Sequence, residues 1–390
     1  MSTSAERYRS FEDVPLFGMG FRPFFLAAGI WAAAAAPLWM ARYFGGLPQI
    51  NRDWHVHEML FGYLSSVIAG FLLTAIPNWT GRLPVTGMPL FLLFSLWCVG
   101  RIAMLAAPDS TSSAVLDSLF LLALAGIVGR EVMAGRNVRN LPVFGMVGLL
   151  AVANILTHLR PIDSALATLG ERSALAIVAM LLALIGGRIT PSFTRNWLAK
   201  RQSTRLPSPP DRFDALTLAI TGLSLISWLA LPDLAPAGAA LVVAGALNAA
   251  RLSRWCGRLT TSEPLLLILH VGYAWLAFAL ALVGAHVLAP TVVASAAGVH
   301  ALTAGAFGVM TLAVMTRVTR GHTGQPLTAD RGTQLLYALV NASALLRVMA
   351  PFISAYYTLL LVTAAFLWSG AFVVFVARYA PLMLRPRRTG

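Results

Sequence analysis

The chain has 390 residues, 58% of them hydrophobic and only 11% charged, with a mean hydropathy of +0.74. So few polar side chains cannot cover a water-soluble globule, and lipid has to cover the remainder. The formal net charge of +14 invites a nucleic-acid reading, which the placement of the basic residues excludes.

A bilayer-spanning helix needs about 20 mainly apolar residues. Such runs follow one another at 23–44, 56–76, 87–107, 113–134, 140–159, 172–190, 213–231, 235–252, 263–284, 290–316, 333–351 and 355–379. The expected fold is an all-α membrane protein of about twelve transmembrane helices. No linker separates two composition classes, so residues 1–390 read as a single polytopic domain, and the break from Arg188 to Arg212 reads as a loop. The polar first twenty residues before a long first span read as an uncleaved anchor, not a signal peptide. Of the 29 Lys and Arg residues, 23 fall at the termini and the even-numbered loops. The other 6 (Arg42, Arg52, Arg101, Arg160, Arg172 and Arg347) fall at the odd-numbered ones. That asymmetry puts both termini in the cytoplasm; the charge is topogenic, and no nucleic-acid partner is expected. Cys98 and Cys256 then lie on different sides and form no disulfide, and the absence of a CxxCH motif makes any haem non-covalent. Spans two, six and ten end in similar clusters, "TAIPNWTGR" (74–82), "RITPSFTRNW" (188–197) and "AVMTRVTRGHTG" (313–324). This four-helix period hints at three repeated four-helix units.

Ionisable groups inside a membrane are expensive, and each is by default a functional candidate. His55 and His57 open the second span in "DWHVHEMLFGY". Residues two apart face nearly opposite sides of a helix, so both reach one metal only if the helix begins between them; otherwise they serve different centres. Glu58, three residues after His55, is placed to orient that imidazole or to carry protons. From Glu58 a smooth stripe of Gly62, Ser66, Gly70 and Thr74 admits either another helix or a flat macrocycle, and a small-xxx-small helix contact is the favoured reading. His300, ten residues into its span and so about 14 Å deep, is flanked by Ala296, Ala304 and Gly308, which leave room for an axially ligated haem. His270 enters the ninth span from the opposite side, about 10 Å deep. His322 stands in a loop, and His158 and His286 stand at helix ends, where an interfacial histidine needs no function. Arg101 lies inside the apolar slab with Asp117 at comparable depth; they form either a hairpin salt bridge or, through Arg101, a haem propionate contact, for which Arg347 is a second candidate.

The segments "FRPFFLAAGIW" (21–31), "WHVHEMLFGYLSSVIAGFLLTAIPNWTGR" (54–82), "LWCVGR" (96–101), "GGRITPSFTRNW" (186–197), "LHVGYAWL" (269–276) and "HALTAGAFGVMTLAVMTRVTRGHTGQPL" (300–327) resemble the signature stretches of the NnrS family. The resemblance runs through nearly the whole chain. It implies a bacterial cytoplasmic (inner) membrane protein that holds non-covalent haem b and copper and is linked to denitrification and to resistance to nitric oxide stress. Carried across residue by residue, the family's histidines fall on His55, His57, His270, His300 and His322, with Glu58 inside the same motif; the resemblance does not assign haem or copper to individual positions. The implied partners are the lipid bilayer, nitric oxide or its metabolites, and an electron donor. Twelve helices with a threefold hint suggest a haem–copper-oxidase-like arrangement, but residues 159–269 contain no histidine, so a binuclear site would be built differently. If the protein is an enzyme, it is expected to be a nitric-oxide-related oxidoreductase with Glu58 carrying protons. The alternative is a proton-coupled transporter or metal-handling protein using the same His and Glu residues.

Overall fold

A computed structural model describes residues 14–386. Arg7, Arg9, Arg387 and Arg388, which enter the terminal charge count, lie outside the described residues. Among the described residues there are twelve helices long and apolar enough to cross a membrane, and no strand. They are α1 Phe21–Tyr43, α2 Arg52–Thr80, α3 Met88–Ala106, α4 Thr111–Ala134, α5 Val138–His158, α6 Ser164–Lys200, α7 Arg212–Ala230, α8 Ala235–Ser253, α9 Pro264–Leu288, α10 Ser295–His322, α11 Arg331–Phe352 and α12 Ser354–Leu384.

Polar caps set where several of these helices begin, because the first backbone N–H groups have no intrahelical acceptor. The Asn51 side chain accepts from Trp54 N at 2.8 Å, Ser110 from Ser113 N at 3.1 Å, and Asp330 from Thr333 N at 2.8 Å. Asp211 and Asp214 form a reciprocal capping box at α7. At the other end, α2 stops at Gly81, whose φ of +71° is left-handed, and Gly324 follows α10 with φ of +73°.

Two spans differ from expectation in an instructive way. α6 starts at Ser164, not 172, because Glu171, which interrupts the apolar run, is paired with Arg52 (Nη2 to Oε2, 2.9 Å) and also with Arg160. It then continues past Arg188 to Lys200 as an amphipathic extension with Pro191 inside it. α10 starts at Ser295, after a turn at 290–294, so His300 is the sixth residue of its helix, not the tenth; and α10 continues to His322, which closes the helix instead of standing in a loop.

The four-helix period hinted at by the three clusters is borne out in the backbone. α2, α6 and α10 each widen into a π segment, beginning at Glu58, Leu182 and Ala301. The third helix of each unit begins at Met88, Arg212 and Arg331, thirty residues later every time, and each of these α-helical segments is 19 residues long. The fourth begins at Thr111, Ala235 and Ser354, a further twenty-three residues on. Spacing this regular, without insertions, is the mark of repeated four-helix units.

The described contacts divide the chain into two compact units, 14–174 with 315–326 and 372–386, and 175–314 with 327–371. In the first, the small-residue stripe of α2 packs on α1: Ser66 Oγ donates to Phe24 O at 2.9 Å, Thr74 Oγ1 accepts from Phe21 N at 3.1 Å, and a Cβ on Gly70 would lie 2.6 Å from Phe25. The helix-contact reading of that stripe holds from Ser66 onward. In the second unit, α8 and α9 approach through Gly238, Gly245 and Gly284, so closely that a Cβ on Gly245 would lie 2.7 Å from Ala277 O.

Candidate functional site

The first unit buries an ionic cluster fed by four consecutive helices. His57 and Glu58 come from the start of α2, Arg101 from the end of α3, Asp117 from the start of α4, and Asn154 and His158 from the end of α5. The hairpin order brings these helix ends together. Glu58 is fully buried, and Asp117, Arg101 and His57 are 2%, 3% and 5% exposed. Groups so poorly hydrated must satisfy one another. Arg101 Nη1 donates to both oxygens of Glu58 at 2.6 Å, and Nη2 pairs with Asp117 Oδ1. Asp117 Oδ2 then faces His57 Nε2 at 3.0 Å, His158 Nε2 at 2.9 Å and Asn154 Nδ2 at 2.8 Å. The other nitrogen of His57, Nδ1, lies 3.1 Å from Glu58 Oε1.

Local structure explains the arrangement. His57 is the last α-helical residue before the π segment Glu58–Leu64, and a π turn widens the helix where a side chain must be re-aimed. Gly62, inside that segment, is required by close approach: a Cβ there would lie 2.7 Å from Glu58 Oε2 and Trp31 Nε1 and 2.9 Å from Arg101 Nη1. Trp97 Nε1 donates to Gly62 O at 2.9 Å and closes the wall.

The sequence candidates do not all converge here. His55 and His57 both lie within the helix, and they part company: His55 stacks on Trp39 (centroids 5.1 Å, 19°) while His57 joins the cluster. Glu58 is hydrogen-bonded to His57, not to His55, whose face it shares by helical spacing. The hairpin alternative for Arg101 and Asp117 is the one found, extended to Glu58. His322 packs its ring 5.7 Å from Phe21. Arg347 is half-buried in α11, with Nη1 buried and lacking a hydrogen-bond partner. His158 and Asn154 were not singled out by sequence; a histidine at a helix end and an asparagine on an apolar face carry no signal until α5 is seen beside α4.

The second unit holds a separate buried network of Asp214, Asn248, Arg251 and Tyr273, also missed, because Arg251 was counted with the basic residues of an inter-helix break. Arg251 Nε donates to Asp214 Oδ1 at 2.7 Å and Nη1 to Tyr273 Oη at 2.8 Å, and that hydroxyl donates to Asn248 Oδ1 at 2.6 Å. A turn before Tyr273, His270 Nε2 faces Thr194 Oγ1 at 2.9 Å, while its buried Nδ1 has no partner and abuts Gly257. His300 Nδ1 lies 2.8 Å from Ala296 O, four residues back. His57 and His300 hold the same repeat position, each immediately before its π segment.

Twelve membrane-spanning helices with histidines, two carboxylates and an arginine buried together define a polytopic helical membrane protein with ionisable groups gathered inside it. A family profile described as NnrS protein matches residues 15–387, and the chain belongs to the NnrS family. No curated protein matches it.

The donor set is one that could hold a metal ion. His57, Asp117 and His158 offer two imidazole nitrogens and a carboxylate oxygen, all within 4.8 Å of one another. For haem, His300 offers one nitrogen: its Nδ1 faces the Ala296 carbonyl and so donates to it, which leaves the ring lone pair on Nε2. His270 fits less well in this arrangement, with one ring nitrogen on Thr194 and the other against the Gly257 backbone.

Proposed function

We propose that the protein is an inner-membrane haem and copper protein that binds nitric oxide, and acts in nitric oxide stress resistance and in denitrification-linked nitric oxide metabolism. The observation that carries the reading is the buried cluster of Glu58, Arg101, Asp117, His57 and His158. A bilayer protein gains nothing in stability from so many ionisable groups that an apolar core would not provide, so their presence points to chemistry. Family membership supports haem and copper as the groups concerned.

His300 would hold haem b, and Arg347, with an unpartnered buried guanidinium nitrogen in the same unit, would pair with a propionate. Bound there, haem would supply nitric oxide binding and one-electron exchange with an electron donor. The chain's own part is to keep water from the histidines with apolar helix faces, to hold His300 in the tautomer protonated at Nδ1, and to pair Glu58 with Arg101. Glu58 also stands next to His57, where it can pass a proton to or from Nδ1. Haem content of the purified wild type and of His300→Ala tests the reading. Haem in the wild type and its loss in the variant support it, whereas unchanged haem in the variant moves the ligand elsewhere. Proton-coupled transport is the second reading, favoured by the two carboxylates buried within the membrane-spanning helices. It predicts solute flux into vesicles that depends on Glu58.

A further inference from the structure

We propose that His57, Asp117 and His158 bind a singly charged, imidazole-seeking metal ion, cuprous copper, with Glu58 as the carboxylate that orients His57. The assignment rests on the reading above for the presence of a metal, and gives it a place, a ligand set and a charge; Asp117 and His158 lie outside the family's histidine motif.

Three features of the cluster point to it. First, two imidazole Nε2 atoms converge on one carboxylate oxygen, Asp117 Oδ2, at 3.0 and 2.9 Å, with ring centroids 4.9 Å apart. Second, His57 carries a carboxylate on its far nitrogen, Glu58 at 3.1 Å, the support that metal-ligating histidines characteristically have. Arg101 in turn fixes Glu58 and occupies Asp117 Oδ1, leaving Oδ2 turned to the imidazoles. Third, Asn154 is fully buried beside them, its Nδ2 donating to Asp117 Oδ2 at 2.8 Å, and its Oδ1 is buried with no hydrogen-bond partner.

Charge selects the ion. Ligating imidazoles are neutral, so Glu58 and Asp117 against Arg101 leave one net negative charge. The neighbouring group of Arg52, Arg160, Asp53 and Glu171 is paired within itself and balances. One positive charge therefore neutralises the buried site, while a divalent ion leaves it positively charged in a low-dielectric interior. Among the metals that imidazole suits, copper is the one with a stable singly charged state.

The test uses full-length protein in detergent: wild type, Asp117→Asn, His158→Gln, and His286→Gln as a histidine variant outside the site. Each is titrated anaerobically with Cu(I) against a colorimetric Cu(I) chelator, and separately with Zn(II), with circular dichroism confirming fold and haem measured on the same samples. The expected result is one Cu(I) per chain in wild type and His286→Gln, weakened at least about tenfold in the other two, with Zn(II) bound less tightly than Cu(I). Folded Asp117→Asn and His158→Gln proteins that hold Cu(I) as tightly as wild type would overturn the site, and Zn(II) bound in preference would overturn the charge argument. Cu(I) binding intact in a wild type that never contains haem would sink the proposed function and leave the metal site standing.

Discussion

Arg101 decides whether the buried cluster can exist. Two carboxylates cannot remain ionised side by side in a low-dielectric interior without a cation between them, and Arg101 reaches both. Replacing it by Leu leaves two buried acids uncompensated, a loss of about 3–5 kcal/mol. Arg101→Lys, which keeps the charge but cannot span both acids, should lose less. Thermal unfolding in detergent measures the difference; equal melting temperatures for Arg101→Leu and wild type would remove the ion pair from the stability of the fold. Gly62→Ala probes the same cluster from the backbone side. The added Cβ meets Glu58 and Trp31 at 2.7 Å, so something must shift, and overpacking of this kind costs about 1–3 kcal/mol. Gly145, with nothing near its Cβ position, is the matched control: Gly145→Ala should be neutral or slightly stabilising because alanine favours a helix. At this scale the sequence was partly legible. Glu58, His57, Arg101 and Asp117 stand out because charge is rare in apolar runs, whereas Asn154 and His158 do not, since their role depends on a neighbour 37 to 41 residues away.

At the scale of elements, the π segments carry the unexpected information. Hydropathy finds the apolar stretch of α2 but is blind to one extra residue per turn, and that residue turns His57 and Glu58 toward α3 and α4 while the rest of the helix packs on α1. Deleting Met59 removes the residue that the π turn accommodates, so an ordinary α turn closes where Glu58 and Gly62 now face Arg101. The expected outcome is a folded protein that has lost Cu(I) binding, read by chelator competition; full retention would mean that the π turn has no part in aiming His57. The cap of α7 gives a pH test outside the membrane-spanning helices. The Arg254 guanidinium beside Asp211 pulls its carboxyl down from 3.8 to about 2, helped by the backbone of Asp214. A carboxylate depressed in the folded state stabilises above its unfolded value, and that contribution fades as pH falls toward about 2. Asp211→Ala should therefore melt below wild type at pH 7, with the gap closing toward pH 2. The long α6 was illegible for a simple reason: Glu171, Arg172 and Arg188 break its apolar run, and only the pairing of Glu171 with Arg52 and Arg160 shows why the helix does not stop.

For the whole molecule, the run of apolar segments along the sequence identified a twelve-span membrane protein, because hydropathy counts apolar helices well when each is separated by turn residues. The repeat was faintly visible in three end clusters and becomes plain only as a common spacing of π turn, third helix and fourth helix, since the repeated units share backbone features more than side chains. The basic residues of the even-numbered loops predict cytoplasmic termini: a reporter active only in the cytoplasm should work when fused after Gly390 and fail when fused in the loop between α3 and α4. The proposed function makes a sharper demand. The decisive measurement is the optical spectrum of the purified, reduced wild-type protein as nitric oxide is added without oxygen. Haem bands that shift in proportion to added nitric oxide, up to a fixed number of equivalents per chain, are the expected result. A folded, full-length protein with no haem band, or with haem bands that nitric oxide leaves unchanged, would contradict nitric oxide binding at haem and turn attention to transport through the same buried cluster.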